Sequence, residues 1–139
     1  MTTFTPYLLY EDCAAMLDWL AEAFGFEEVL RYTGQAGYVN HAEMKLGDGA
    51  FYMGDPGDDY RNPRGLGADT AGVYVELDED VDALCERARA AGAEIIEEPA
   101  DQDYGHRRFS ARDPEGHQWF FAQPRQQVEP EEWGATPAS

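Results

Sequence analysis

Positive charge is scarce in this chain of 139 residues: 10 Lys and Arg stand against 28 Asp and Glu, a formal net charge of −18. A field of that sign repels nucleic acid and anionic membrane and attracts cations, so neither polyanion is an expected partner. Cysteine is nearly absent, with Cys13 and Cys85 alone. Both fall on apolar faces of predicted helices, which reads as buried free thiols in a reducing compartment. No apolar run approaches a membrane span. The opening Met-Thr-Thr-Phe-Thr-Pro has neither basic flank nor apolar stretch and is unlike a signal peptide, so the expected location is the cytoplasm. No glycine-rich phosphate loop follows a strand. With both thiols on helix faces there is no Cys-His set, and no Ser-His-Asp set is evident.

What is present is a packable interior. Apolar residues make up 43% and aromatics 13%, enough for a globular domain. Alternation from Phe4 to Tyr10 predicts a strand. Asp12 can cap a helix whose Cys13, Met16, Leu17, Leu20 and Phe24 share one face, and Gly25 ends it. Glu27 to Thr33 reads as a strand. A hairpin follows, Tyr38 to Leu46 and Ala50 to Gly54, turning at Gly47-Asp48-Gly49. Residues 55–70 are rich in Pro, Gly and Asp and read as a connection.

The pattern then restarts: strand Gly72 to Leu77, cap Asp80, helix with Val81, Leu84, Cys85 and Ala88, stop at Gly92, and a strand edge Glu94 to Glu97 closed by Pro99. Arg107 to Arg112 and Gln118 to Ala122 pair as a hairpin around Asp113-Pro114-Glu115-Gly116. In this turn Asp113 can bond the backbone ahead, Pro114 presets φ, and Gly116 supplies a positive φ. A shift of 67 lays Tyr7 on Tyr74, Leu17 on Leu84, Gly25 on Gly92 and Tyr52 on Trp119. Two tandem βαβββ modules are therefore expected, an α+β fold. The expected division is one domain over 1–139, with modules at 4–56 and 71–124, a linker at 57–70 and a polar tail at 125–139, frayed except where Trp133 pins it.

Pro6-Tyr7-Leu8, Ala23-Phe24-Gly25-Phe26 and His41-Ala42-Glu43-Met44-Lys45-Leu46-Gly47-Asp48 in the first half have counterparts in the second. Those are Ala90-Ala91-Gly92-Ala93-Glu94 and the run from Tyr104 to Trp119 with its Asp-Pro-Glu-Gly-His turn. In this order they resemble the vicinal oxygen chelate superfamily, the glyoxalase/bleomycin-resistance/dioxygenase fold, over roughly residues 4–124. The resemblance implies a curved mixed sheet with helices on the outer face, a concave ligand face on each module and cups commonly completed across a homodimer. In its enzymes, His and Glu on the first and last strand of each module bind a divalent metal. Those positions fall here on Thr5 and Gly72, and on Phe120 with Met53 by the repeat. Thr, Gly, Phe and Met do not form such a site, so no metal or other cofactor is expected there.

Strand alternation extends that face. With Thr5, Gly72, Met53 and Phe120 in the cup go Tyr7, Leu9, Tyr74, Glu76, Phe51 and Gln118. Leu8, Val73, Val75, Tyr52, Trp119 and Phe121 go to the helix side. Ala42, Met44 and Leu46 suit the core, which sends His41, Glu43, Arg108 and Ser110 to the cup. His106 and His117 flank turns, and turn or surface roles are expected of them. Arg107 and Arg108 are expected to pair with carboxylates or to meet an anionic group of a ligand. The function expected is metal-independent binding of a small organic molecule. This is similar to the bleomycin-resistance proteins that sequester a cationic aromatic antibiotic, and the acidic field is compatible with such a guest. The alternative is a glyoxalase-like lyase, isomerase or dioxygenase with a displaced metal on His41, Glu43 and Glu76.

Overall fold

The computed structural model, which describes residues 1–139, divides the strands between two four-stranded mixed sheets. The first half runs β1 (Tyr7–Leu9), α1 (Cys13–Phe24), β2 (Glu27–Thr33), β3 (Val39–Leu46) and β4 (Gly49–Gly54). After a short helix α2 (Pro63–Leu66), the second half runs β5 (Gly72–Glu76), α3 (Val81–Ala90), β6 (Glu94–Asp101), β7 (His106–Arg112) and β8 (Gln118–Pro124). Strand order is β1-β4-β3-β2 in one sheet and β5-β8-β7-β6 in the other. In each, the first strand is parallel to the last and the remaining pairs are antiparallel. No helix is long and apolar enough to cross a membrane.

The helix signals act locally, and they hold. Asp12 accepts a hydrogen bond from Ala15 N at 3.0 Å, and Gly25 closes α1 in the left-handed region at φ 82°. Asp80 caps α3 through Asp82 N and Ala83 N. The last turn of α1 carries no basic residue. Arg87 of α3 supplies one, donating to the carbonyls of Glu22 (2.7 Å) and Ala21 (3.1 Å). A cation there satisfies orphan carbonyls and complements the helix dipole.

One core serves both sheets. Phe24 lies 4.6 Å from Phe121, Phe26 5.0 Å from Phe51, and Phe51 5.1 Å from Trp119, centroid to centroid. Phe51 and Trp119 belong to different sheets, so the helix-facing sides of the two sheets converge on shared aromatics. Burying each such side chain contributes about 1.5–3 kcal/mol. The opposite faces point away from this core.

Four expectations are corrected. The first strand is shorter than Phe4 to Tyr10, because β1 pairs only from Tyr7 to Leu9 and Phe4 is exposed. Pro99 does not close the sixth strand; it lies inside β6, at a register shift between Glu97 and Ala100. An edge strand tolerates proline at such a bulge, where no ladder N–H is needed. The tail is not frayed from its start, since Arg125 N donates to Gly105 O at 2.8 Å, whereas Trp133 packs on Tyr104 at 5.7 Å, the pinning expected of it. The repeat, finally, is not in register to its end. Lys45 pairs with Ala50 and its repeat mate Arg112 with Gln118, so four residues, 46–49, separate that pair in the first hairpin and five, 113–117, in the second. The second turn is one residue longer, so the shift of 67 becomes 68 in the last strand.

Candidate functional site

A one-residue slip sends every side chain of a strand to the other face. Tyr7 pairs with Tyr52 and Tyr74 with Phe120, so the mate of Phe120 is Tyr52 and not Met53. Phe51 (3% exposed) and Met53 (0%) are core residues, contrary to their expected place in the cup, and Tyr52 takes the outward position. The expected parity holds on β1, β3, β5, β7 and β8.

On the face of the first sheet turned away from the helices, Tyr7, Tyr52, His41 and Glu43 come together from three strands. Tyr7 Oη lies 3.0 Å from His41 Nδ1, and His41 Nε2 lies 2.9 Å from Glu43 Oε2. Tyr52 stands edge-on to both rings, at 6.2 Å from Tyr7 and 5.2 Å from His41. Gly54 permits the arrangement: a Cβ there would lie 2.9 Å from Tyr7 Oη and 2.4 Å from Asn40 O. Leu9, Leu30 and Tyr32 extend the same face and are exposed. Thr5 lies just before β1 and is half-buried.

The corresponding helix-free face of the second sheet is more densely paired. Tyr74 Oη meets Tyr104 Oη at 2.9 Å and His106 Nδ1 at 2.8 Å. Partial burial and that Tyr104 hydroxyl hold the Tyr74 phenol well above the usual tyrosine range. His106 is thus a strand residue of this face rather than a turn residue, and its Nε2 is 3.9 Å from Glu76. Arg108 lies over the Phe120 ring at 5.3 Å and donates to Tyr104 Oη and to the Glu97 carboxylate. Its Nε is the buried side-chain polar atom left without a partner. Ser110 has the expected parity, yet it is fully covered and donates to Glu97 at 2.9 Å. Gln118 borders a groove of ≈ 550 Å³ between β1 and β5, with Tyr7, Leu9, Tyr60, Leu66 and Gly72.

The metal positions implied by the fold do not fit a metal. With the register corrected they are Thr5, Tyr52, Gly72 and Phe120, which offer no imidazole or carboxylate. The Phe120 ring also fills the space beside Gly72, with Cε2 only 2.9 Å from where a Cβ would be. The displaced set is not brought together as one site, because His41 and Glu43 stand on the first sheet and Glu76 on the second. Elsewhere, Cys85, Glu86 and Glu98 lie close enough to share an ion, but Arg89 occupies that cluster, donating to both carboxylates.

His117 and the long turn are scaffold. Asp113 accepts from Glu115 N and His117 N through one oxygen, and from Tyr10 Oη (2.7 Å) and Trp119 Nε1 (3.1 Å) through the other. Glu115 accepts from Glu11 N and Asp12 N at the start of α1, and the His117 ring meets Leu9 O at 2.7 Å. Tyr52 and Tyr104 are among the residues that strand parity missed; only pairing register reveals the first, and a turn packed over the face the second.

Residues 4–121 match the Glyoxalase/Bleomycin resistance protein/Dioxygenase superfamily. Uncharacterized proteins of Mycobacterium bovis and Mycobacterium tuberculosis are each 30% identical over 97% of this chain and over 91% and 82% of their own lengths. The crystal structure of TioX from Micromonospora sp. ML1 superposes with a TM-score of 0.71 at 30% identity, covering 92% of this chain and 100% of that one. A glyoxalase/bleomycin resistance protein/dioxygenase from Nocardioides superposes at 0.61 with 23% identity, covering 94% and 88% of the two chains, a likeness of fold alone. The two βαβββ halves, their outward faces and these matches agree: the chain belongs to the glyoxalase/bleomycin resistance protein/dioxygenase superfamily.

Proposed function

We propose that the protein binds a small organic cation with a flat, aromatic body, without a metal, and does so as a homodimer. The observation that carries this reading is the pair of outward sheet faces, each with two stacked or edge-on aromatics beside a carboxylate: Tyr7 and Tyr52 beside Glu43, Tyr74 and Phe120 beside Glu97. Aromatic faces attract cations through the ring quadrupole, and a net charge of −18 steers cations toward them. On the second face Arg108 already stands over Phe120, so the first face is the one open to a cation. A single copy leaves that face uncovered, with Tyr7 and Tyr32 exposed. A second copy laying its second sheet over the first sheet would close a cup.

Thermal-shift screening against cationic aromatic antibiotics and neutral analogues of matched size tests the reading, since a ligand that binds only the native state raises the midpoint. The expected result is stabilisation by cations, reduced in Tyr7→Ala and unaffected by a chelator. Equal shifts for neutral analogues, or a shift abolished by the chelator, would sink it. Sedimentation velocity checks the dimer.

A further inference from the structure

The Tyr7–His41–Glu43 chain has a directionality that guest binding does not use. A carboxylate only accepts hydrogen bonds, so Glu43 assigns the His41 proton to Nε2 across the 2.9 Å contact. Nδ1 is then left with its lone pair, and at 3.0 Å it accepts from the Tyr7 hydroxyl. The phenol oxygen keeps lone pairs of its own on a residue that is 47% exposed on the open face. A hydroxyl backed by an imidazole backed by a carboxylate is the arrangement that lets an oxygen take up one proton while releasing another. The second sheet gives an internal contrast. Tyr74, His106 and Glu76 follow the same order, but there the imidazole–carboxylate distance is 3.9 Å and the Tyr74 hydroxyl also meets Tyr104.

We infer that Tyr7, His41 and Glu43 form a metal-independent proton relay that tautomerises neutral or cationic β-dicarbonyl compounds. The C–H bond between the two carbonyls breaks, its proton forms a bond to Tyr7 Oη, and its electron pair enters the enolate. In the same step the Tyr7 phenolic proton moves to His41 Nδ1, and the imidazolium is held by Glu43. Return of that proton to Tyr7, and of Tyr7's proton to a carbonyl oxygen, yields the enol and restores the relay. No co-reactant is consumed.

The substrate class follows from what surrounds the relay. Lys45, two residues further along the same strand face, is engaged by Glu27 at 3.7 Å, so no free cation receives an isolated oxyanion. The substrate must spread the enolate charge itself, which a β-dicarbonyl does. Glu43 and the overall charge turn away carboxylates, whereas the Tyr52 ring beside His41 suits a flat, conjugated molecule.

The test is ketonisation of the enol of benzoylacetone, diluted from ethanol into buffer and followed by ultraviolet absorbance, with saturation-transfer NMR on the same sample reporting binding. Protein treated with EDTA is expected to accelerate the reaction. Tyr7→Phe and His41→Gln should each cut the acceleration about a hundredfold, and Glu43→Gln should cut it less, while Tyr38→Phe leaves it unchanged. Circular dichroism and unfolding midpoints confirm that the variants are folded. Acceleration that survives in folded Tyr7→Phe, or that EDTA removes, overturns the relay. Binding without acceleration overturns the relay and leaves the guest face standing; neither binding nor acceleration overturns the relay together with the reach of that face to this ligand class.

Discussion

Asp113 is a fully buried carboxylate whose two oxygens between them accept four hydrogen bonds, so its charge is stabilised rather than stranded. Asp113→Ala would leave the Tyr10 hydroxyl, the Trp119 indole N–H and two backbone donors unsatisfied. The expected loss is about 3 kcal/mol, read as a lower urea midpoint at unchanged m-value. Asp48, exposed in the shorter turn, should tolerate alanine within about 0.5 kcal/mol. Tyr10 adds a pH signature. Burial, then the Asp113 charge, push its phenol well above the ordinary value. A raised folded pKa means the unfolded chain loses the proton first, so the contribution is whole below pH about 10 and fades above it. Stability should fall on alkaline titration, and Tyr10→Phe should lessen that slope by up to about 1.4 kcal/mol per pH unit. Of these two roles, the turn chemistry of Asp113 was legible in the local residues. Its bonds to Tyr10 and Trp119 were not, because they require the two halves to be docked.

At the scale of elements, both hairpins turn a chain of similar sequence with loops that differ by one residue, and that difference decides which aromatics meet solvent. Phe51 and Tyr52 are neighbours of like size, and nothing in their composition says which should be outside. The cross-strand partners do: Tyr52 is opposite Glu43, and Phe51 is opposite Met44. The helices were easier, since Asp12, Gly25 and Asp80 act on backbone a few residues away. The docked tail yields the prediction at this scale. Gly105 has φ 98°, and a Cβ there would lie 2.0 Å from Gln126 O. Gly105→Ala should cost about 1–3 kcal/mol locally and release the segment from Arg125 onward. Trypsin should then cut after Arg125 faster than in the parent protein, with the core fragment left intact. Equal cleavage rates would show that the tail is not held by Gly105.

Charge acts on the whole molecule. A cationic guest drawn by a net −18 is steered by a long-range field, which salt screens over about 8 Å at physiological ionic strength. Raising salt from about 0.05 to 0.5 M should slow association markedly and weaken binding, while a neutral β-dicarbonyl is barely affected. Identical salt dependence for both would remove the field from the account. From the sequence alone came the α+β class, the repeat, the caps, the acidic balance and the outward parity of Tyr7, His41, Glu43, Tyr74 and Phe120. Each depends on residues close in the chain or on their simple sum. Only the tertiary structure decided that Met53 and Phe51 are core, that Tyr52 faces out, that both sheets share one aromatic interior, and that Tyr7, His41 and Glu43 line up in hydrogen-bonded order. These outcomes depend on strand register and sheet docking, which join residues tens of positions apart, and a single extra residue in a turn is what sets Phe51 and Met53 inside and Tyr52 outside.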